Sequence, residues 1–175
     1  AEAASIEEVQ IAIKSGVPAG RIIFDGPAKT KLEIQFCIDN QIYINMDSFE
    51  ELERVANILG DNTNFKAGMR LNPQLGIGKI GDTSVAGKKS KFGINLDDYA
   101  EKVQAAFKEH SWLIGVHVHI GSQGMSLDEL VLGTKIVYEF AHTLSGLQRF
   151  DLGGGLPVVY SAQDPNVSFK EYTDS

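Results

Sequence analysis

The stretch WLIGVHVHIGS, at positions 112–122, decides the fold class. It is a short apolar run, rich in β-branched residues, that ends in glycine and serine. Four further runs of this kind recur, each with a polar or glycine-rich end: RIIFDG (21–26), QIYINMDS (41–48), FKAGMRLNP (65–73) and RFDLGGG (149–155). Continuous apolar runs of this length are typical of strands that are buried on both faces, so each run predicts a strand.

Segments with helical periodicity lie between these runs, and their starts share a signal. Four S/T-x-x-E patterns begin at Ser5, Thr30, Ser48 and Ser126. In such a capping box the hydroxyl accepts from an amide of the first helical turn, and the carboxylate reaches back to the cap. The alternation of strands and helices predicts a parallel sheet covered by helices.

Two α/β architectures fit this alternation, an open doubly wound sheet and a (β/α)8 TIM barrel. Polar or glycine residues at the ends of so many consecutive strands favour the barrel, because its active site draws on the loops after many strands. A whole barrel needs about 200–250 residues, and this chain has 175. We therefore predict one domain over 1–175, a barrel segment of about five β-α units.

Composition excludes several classes of protein. The chain has 16 Lys and Arg against 23 Asp and Glu and a net charge of −7, so no basic face for nucleic acid is expected. No apolar run is long enough to span a membrane, and the N-terminal residues lack the pattern of a secretory signal. The single cysteine, Cys37, lies in an apolar helical stretch and predicts a buried, inert thiol, which fits a cytoplasmic protein.

Two histidines share one face of the strand at 112–122. His117 and His119 are two residues apart, and side chains alternate between the faces of a strand. Three interpretations remain open: a metal pair, a cofactor-contacting or acid-base histidine, and histidines satisfied within the core. A metal needs three or four ligands, and the other histidines, His110 and His142, lie near predicted helix ends. We therefore favour cofactor contact and predict no metal.

Two neighbouring strand ends could hold a phosphate between them. Ser122 follows one strand and offers a hydroxyl, while Gly153, Gly154 and Gly155 follow the next and offer unhindered backbone amides. A plain tight turn is the alternative for the three glycines. The chain has neither G-x-G-x-x-G after a strand nor G-x-x-x-x-G-K-[ST], so dinucleotide and Walker-type nucleotide binding are not indicated.

Arg70 and Glu8 are further candidates. Arg70 ends the third predicted strand, where it could hold a carboxylate or orient an aromatic ring, with a structural salt bridge as the alternative. Glu8 is ambiguous because it belongs to the capping box that starts at Ser5. The long connection 73–90, rich in glycine, predicts a functional loop, and SFKEY at 168–172 predicts the first turn of a helix.

Taken together, the motifs resemble the fold type III pyridoxal-phosphate-dependent amino-acid decarboxylases, most closely the diaminopimelate decarboxylases, with the ornithine and arginine decarboxylases as relatives. The motifs that carry the resemblance follow the same order over nearly the whole chain. They are AASIEE (3–8), GVP with RII (16–23), GPAKT (26–30), DSFEEL (47–52), RLNP (70–73), SKFGI (90–94), HVHIGS (117–122) and DLGGG (151–155).

The resemblance implies a fold, a cofactor and a set of site residues. The fold is the N-terminal barrel domain of the alanine racemase-like type, and the cofactor is pyridoxal 5′-phosphate. His119 would stack on the pyridine ring, while Ser122 and residues 153–155 would contact the phosphate. Glu8 and Arg70 match positions near the cofactor.

The resemblance also implies a reaction and shows a departure from the family. The reaction would be decarboxylation of a basic or diamino acid, as in the conversion of meso-diaminopimelate to L-lysine, by a homodimer. The chain lacks a Y-A-x-K-A-N motif with the Schiff-base lysine, and it lacks the later C-E-S-x-D and E-P-G-R type motifs. We therefore expect a fragment without the first strand and the C-terminal β-domain, inactive by itself, in which Lys29 does not replace the missing lysine.

Two alternatives to this function stay open at this point. One is a non-catalytic barrel homologue that uses the same strand ends to bind a phosphorylated ligand or a partner protein. The other is a metal-dependent barrel hydrolase that uses His117 and His119.

Overall fold

A computed structural model describes most of the chain. The described residues are 1–62, 64–75, 90–121, 126–156, 158–161 and 166–175. Ser122 and most of the connection 73–90 lie outside these ranges.

The described part contains a sheet of seven parallel strands with six α-helices and one short 3-10 helix, Ala19–Arg21. The strands are β1 (Glu2–Ala3), β2 (Ile23–Phe24), β3 (Tyr43–Met46), β4 (Ala67–Asn72), β5 (Ile94–Asn95), β6 (Leu113–His117) and β7 (Arg149–Asp151). The helices are α1 (Ile6–Lys14), α2 (Lys31–Asp39), α3 (Phe49–Leu59), α4 (Leu96–Glu109), α5 (Leu127–Ala141) and α6 (Phe169–Asp174). None of these helices has both the length and the apolar character needed to cross a bilayer.

The strand order follows the chain. It runs β1-β2-β3-β4-β6-β7, every pairing is parallel, and β5 pairs with the last two residues of β4. A doubly wound sheet would reverse direction at a switch point, whereas a barrel adds each strand beside the previous one. The predicted barrel segment is therefore confirmed.

All five predicted strands are present, and two strands were not predicted. β1 consists of two residues directly before α1, and β5 consists of two residues within the SKFGI motif. Neither is long enough to show a period in the sequence. The predicted helix at 168–172 is also present, as α6.

The predicted capping boxes are complete at two of the four positions. Thr30 and Ser126 exchange both hydrogen bonds with Glu33 and Glu129, respectively. At the other two starts the serine hydroxyl caps the helix, but the carboxylate bonds elsewhere. Glu8 accepts from the Ala4 amide at 2.7 Å, and Glu51 turns inward to a buried lysine.

The two faces of the sheet differ in chemistry. One face packs against the helices and forms a continuous apolar core, whose most buried large side chains include Phe24, Ile44, Met69 and Leu113. The opposite face is the one that a closed barrel encloses, and it carries polar side chains at alternate strand positions. The predicted C-terminal helix positions of His110 and His142 are confirmed, since they cap α4 and α5.

A buried ion pair fixes the ends of β2 and β3 against α3. Lys29 Nζ donates to the carbonyl oxygens of Gly26 at 2.6 Å and Asn45 at 2.7 Å, and to Glu51 Oε2 at 3.1 Å. The Glu51 carboxylate also accepts from the amides of Lys29 and Asp47. Burial lowers the pKa of Lys29, and the Glu51 charge opposes this shift.

We predict that Lys29→Met destabilises the fold by about 3–5 kcal/mol, because it leaves the Glu51 charge buried without a partner. The matched control is Lys135→Met, since Lys135 pairs with Glu139 at 3.9 Å on the exposed surface of α5. Loss of this exposed pair should lower the free energy of unfolding by less than about 1 kcal/mol. Urea unfolding of both variants measures the difference, and equal losses would contradict a structural role for the Lys29–Glu51 pair.

Cys37 is buried, as predicted, and burial raises the pKa of its thiol to about 12. The thiolate is the reactive form, so it is scarce near neutral pH. We expect a thiol-specific reagent to modify Cys37 slowly in the folded protein and rapidly after denaturation. Fast modification under native conditions would show that α2 opens readily.

Candidate active site

Strand register places three polar side chains side by side on the enclosed face. Arg70 of β4 is the register partner of His117 of β6, and His117 is the register partner of Asp151 of β7. Equivalent positions of paired strands point to the same face, so the three side chains form one row. Two of them are buried in this structure, and Asp151 is half-buried.

Hydrogen bonds hold Asp151 at one end of this row. One carboxylate oxygen accepts from the side-chain amide of Asn45 at 3.1 Å, and the other accepts from the Gly153 amide at 3.0 Å. Asp151 therefore connects β3 with the turn that follows β7, formed by Gly153, Gly154 and Gly155 and named here the glycine turn.

Arg70 lies at the other end of the row and pairs with Asp47. The distance from Arg70 Nη1 to Asp47 Oδ1 is 3.5 Å, and the second Asp47 oxygen accepts from the Gly93 amide at 3.1 Å. The Arg70 guanidinium also lies 5.1 Å from the ring centroid of Phe92. Asp47 thus ties the SKFGI motif to the end of β3.

His117, in the middle of the row, has no side-chain exposure, and neither ring nitrogen has a hydrogen-bond partner among the described residues. Its Nε2 lies 3.5 Å from Glu2 Oε1 and 3.9 Å from Asp25 Oδ2. Burial lowers the pKa of His117 to about 4. The imidazole is therefore neutral near neutral pH, and its proximity to the two carboxyl groups is not an ion pair.

His119 follows β6, and its imidazole lies beside the glycine turn, which follows the neighbouring strand β7. Its Nδ1 accepts a hydrogen bond of 3.3 Å from the Gly154 amide. A ring that accepts at Nδ1 is neutral and carries its proton on Nε2, and burial lowers the pKa of His119 accordingly. The structure thus places the His119 imidazole against the glycine turn.

The glycine turn requires glycine at Gly153 and Gly155. Both have positive φ, +60° and +130°. A Cβ on Gly153 would lie 2.5 Å from the Val118 carbonyl oxygen and 2.7 Å from His117 Nε2, and one on Gly155 would lie 2.6 Å from the Gly121 carbonyl oxygen. Gly154 is exposed, and a Cβ there would meet only His119, at 3.4 Å. The turn therefore packs on β6 and leaves a space open above Gly154.

The structure brings together most, but not all, of the predicted site residues. Arg70, His119 and the glycines at 153–155 gather at the carboxyl ends of β4, β6 and β7. Glu8 lies on α1 and accepts from the Ala4 amide, so the structure does not join it to the others. Ser122 lies outside the described residues.

Three acidic residues of this face were not identified from the sequence. Glu2 is on β1, Asp25 follows β2 and Asp47 follows β3. A signal was available for the last two, because both are polar residues directly after a predicted apolar strand. No comparable signal preceded Glu2, since β1 was not predicted.

The whole chain, residues 1–175, matches the family described as "Pyridoxal-dependent decarboxylase, pyridoxal binding domain". The chain belongs to this family. The match confirms the resemblance predicted from the motifs, and it makes pyridoxal 5′-phosphate the cofactor of the domain.

Individual relatives agree with this assignment. The chain is 35% identical, over 178 residues, to diaminopimelate decarboxylase of Campylobacter jejuni, a match that covers 96% of this chain and 44% of that protein. It resembles the structure of the Helicobacter pylori diaminopimelate decarboxylase complexed with L-lysine, with a TM-score of 0.87, 29% identity and 99% coverage of this chain. The chain spans less than half the length of these relatives, 44% and 46% respectively.

A second solved relative supports the same fold. The M. jannaschii diaminopimelate decarboxylase in co-complex with L-lysine matches with a TM-score of 0.85 and 29% identity, over 99% of this chain and 42% of that one. The comparisons do not support the two alternatives, a non-catalytic binder and a metal-dependent hydrolase.

The described residues fit a bound pyridoxal phosphate. The space above Gly154 is open, since an added Cβ would meet only His119, and turns of this kind bind anions. The imidazole of His119 borders the same space. An apolar, closed turn would not accept a phosphate, so the geometry agrees with the cofactor that the family implies.

We predict that Gly153→Ala destabilises the fold more than Gly146→Ala does. Both glycines have similar positive φ, +60° and +73°, so both variants incur a backbone cost of about 1–2 kcal/mol. At Gly146 nothing lies within 4 Å of the added Cβ, whereas at Gly153 it meets Val118 and His117. Overpacking should add roughly 1–3 kcal/mol at Gly153. Thermal unfolding checks this, and equal destabilisation would mean that the turn is free to move off β6.

Proposed function

We propose that the protein carrying this chain decarboxylates a basic or diamino acid with pyridoxal phosphate, in the manner of a diaminopimelate decarboxylase that converts meso-diaminopimelate to L-lysine. The chain itself is the partial barrel domain, 1–175, that holds the cofactor. The observation that carries the proposal is the hydrogen bond between the Gly154 amide and His119, which sets the glycine turn beside an imidazole.

The names of the relatives support the choice of substrate class. The relatives cited above are diaminopimelate decarboxylases, and two of their structures contain L-lysine, the expected product of such a reaction. The chain matches several of these proteins over nearly its whole length.

Each site residue has a task that its surroundings allow. The turn at 153–155 would hold the phosphate, with Ser122 as a donor in the proposal. His119 would lie against the ring face of the cofactor, where its neutral state would avoid repulsion of a protonated pyridine nitrogen. Arg70 keeps its charge through Asp47 and attracts a carboxylate to the enclosed face. We keep Glu8 in the proposal as a residue near the cofactor.

Pyridoxal phosphate supplies the electron sink that stabilises the carbanion left by the departing carbon dioxide. The protein must hold the phosphate, orient the ring and provide a lysine to anchor the cofactor. Lys29 is poorly suited to that last task, because its amine is buried and donates to three acceptors. We propose that the anchoring lysine belongs to a part of the protein outside these 175 residues, and that the 175 residues alone are inactive.

We further propose that the whole protein is a cytoplasmic homodimer, as the resemblance implies. Light scattering of the whole protein tests the assembly directly. A monomer that retains full activity would contradict the proposed dimer without affecting the assignment of the cofactor.

We expect His119→Ala to weaken binding of pyridoxal phosphate by about 2- to 12-fold, because loss of a stacking contact is worth ~0.5–1.5 kcal/mol. Turnover by the whole protein should fall as well. His142→Ala is the matched control, since His142 caps α5 away from the site. Fluorescence titration with the cofactor provides the measurement, and equal affinities in the two variants would remove His119 from the site.

Gly154→Val tests the phosphate position separately from the stability of the fold. A Cβ at Gly154 meets only His119 at 3.4 Å, so we expect the variant to fold normally. The added methyl groups should occupy the space above the turn and weaken cofactor binding by at least about 10-fold. A variant with normal thermal stability and normal cofactor affinity would show that the phosphate binds elsewhere.

A further inference from the structure

A cluster of ionisable side chains lies directly beneath the glycine turn, and the proposed reaction does not use it. Glu2, Asp25 and His117 each direct one ligand atom toward the others, and these atoms all lie within 4.8 Å of one another. The three residues come from β1, the end of β2 and β6. His117 Nε2 faces both carboxyl groups and has no hydrogen-bond partner among the described residues.

The cluster has an excess of negative charge. Asp151 faces it from β7, and the charge of Arg70 on β4 also reaches it, although Arg70 is already paired with Asp47. Burial lowers the pKa of His119, the titratable group that follows β6, and its Nδ1 accepts from the Gly154 amide. Two carboxylates so close together are stable only if a cation separates them, and a shared proton is the smallest cation that can.

We propose that Glu2 carries this proton, shares it with the carboxylate of Asp25 beside a neutral His117, and thereby controls how tightly the glycine turn above it binds the phosphate of the cofactor. Glu2 is then a positioning residue that acts through the charge of the cluster. The part of this inference that concerns phosphate binding rests on the proposed function, whereas the location of the proton does not.

The exposure of the three side chains favours Glu2 as the residue that exchanges the proton with solvent. The Glu2 side chain is 40% exposed, against 13% for Asp25 and 0% for His117. Burial, a hydrogen bond with Asp25 and the charge of Asp151 raise the pKa of Glu2 to about 7. Glu2 is therefore neutral below this pH and loses its proton to water above it.

The glycine turn is close enough to respond to this charge. A Cβ on Gly153 would lie 2.7 Å from His117 Nε2, so the turn rests on the same imidazole nitrogen that faces Glu2 and Asp25. When Glu2 ionises, one more negative charge lies beneath a bound phosphate. The phosphate should then bind less tightly as the pH rises through the pKa of Glu2.

Infrared spectroscopy of the cofactor-free whole protein locates the proton. A protonated carboxyl group gives a C=O stretching band that disappears on ionisation, and we expect this band to be lost between slightly acid and alkaline pH. The band should be absent from Glu2→Gln and unchanged in Glu7→Gln, an exposed neighbour in the first turn of α1. A band that persists in Glu2→Gln but vanishes in Asp25→Asn would overturn the assignment to Glu2.

Binding of 4′-deoxypyridoxine 5′-phosphate tests the effect on the cofactor site. This analogue lacks the aldehyde, so reaction with a lysine cannot influence its affinity. We expect the wild type and Glu7→Gln to lose several-fold more affinity for the analogue than Glu2→Gln does when the pH rises through 7. The side chain at position 2 of Glu2→Gln stays neutral throughout. The titration of the analogue is the same for all three proteins, so identical pH profiles would overturn the proposed control of binding.

The outcomes distinguish this inference from the proposed function. If no variant binds the analogue at any pH, the cofactor assignment fails, while the infrared result still decides where the proton lies. If Glu2→Gln does not fold, Asp25→Asn is measured instead. In Asp25→Asn the pH at which half of the Glu2 band is lost should fall by more than about one pH unit. A stoichiometric divalent ion in the purified protein would overturn the inference, because the ion would then supply the positive charge.

Discussion

The register of the parallel strands is the constraint on which this site depends. Pairing β4 with β6 and β6 with β7 aligns Arg70, His117 and Asp151 in a single row on the face that a barrel encloses. A shift of any of these strands by one residue would move its polar side chain into the apolar core and bring an apolar one to the site. The apolar packing of the helices on the other face therefore also keeps the polar side chains on this face.

Burying so many polar groups requires that most of them have partners. Lys29 pairs with Glu51, Arg70 with Asp47, and Asn45 with Asp151, and each of these contacts joins two elements that are distant in sequence. The same contacts hold the strand ends at which the candidate cofactor residues lie. The Tyr43 hydroxyl and His117 are exceptions among the described residues, and the unpartnered imidazole of His117 marks the part of the row that faces Glu2 and Asp25.

The candidate site was predicted best where its residues lie next to one another in sequence. The glycines at 153–155 and His119 stand in short motifs at the ends of long apolar runs, and both were found. Glu2 was missed because a strand of two residues has no detectable period. Glu8 and Glu51 occupied equivalent positions in two apparent capping boxes, and both accept from the amide of the residue before the cap, yet Glu51 also bonds Lys29. Local spacing does not distinguish these outcomes, because the competing partner of Glu51 lies 22 positions away.

The sequence by itself determined the alternation of strands and helices, the helix starts, the burial of Cys37 and the family, since each depends on local periodicity or on contiguous motifs. Only the tertiary structure decided which charges meet. Ion pairing and proton sharing depend on distances of a few ångströms between residues that the chain separates by tens of positions, and these distances exist only after strand register is set. For that reason the row of Arg70, His117 and Asp151, and the cluster of Glu2, Asp25 and His117, became visible only in the folded chain.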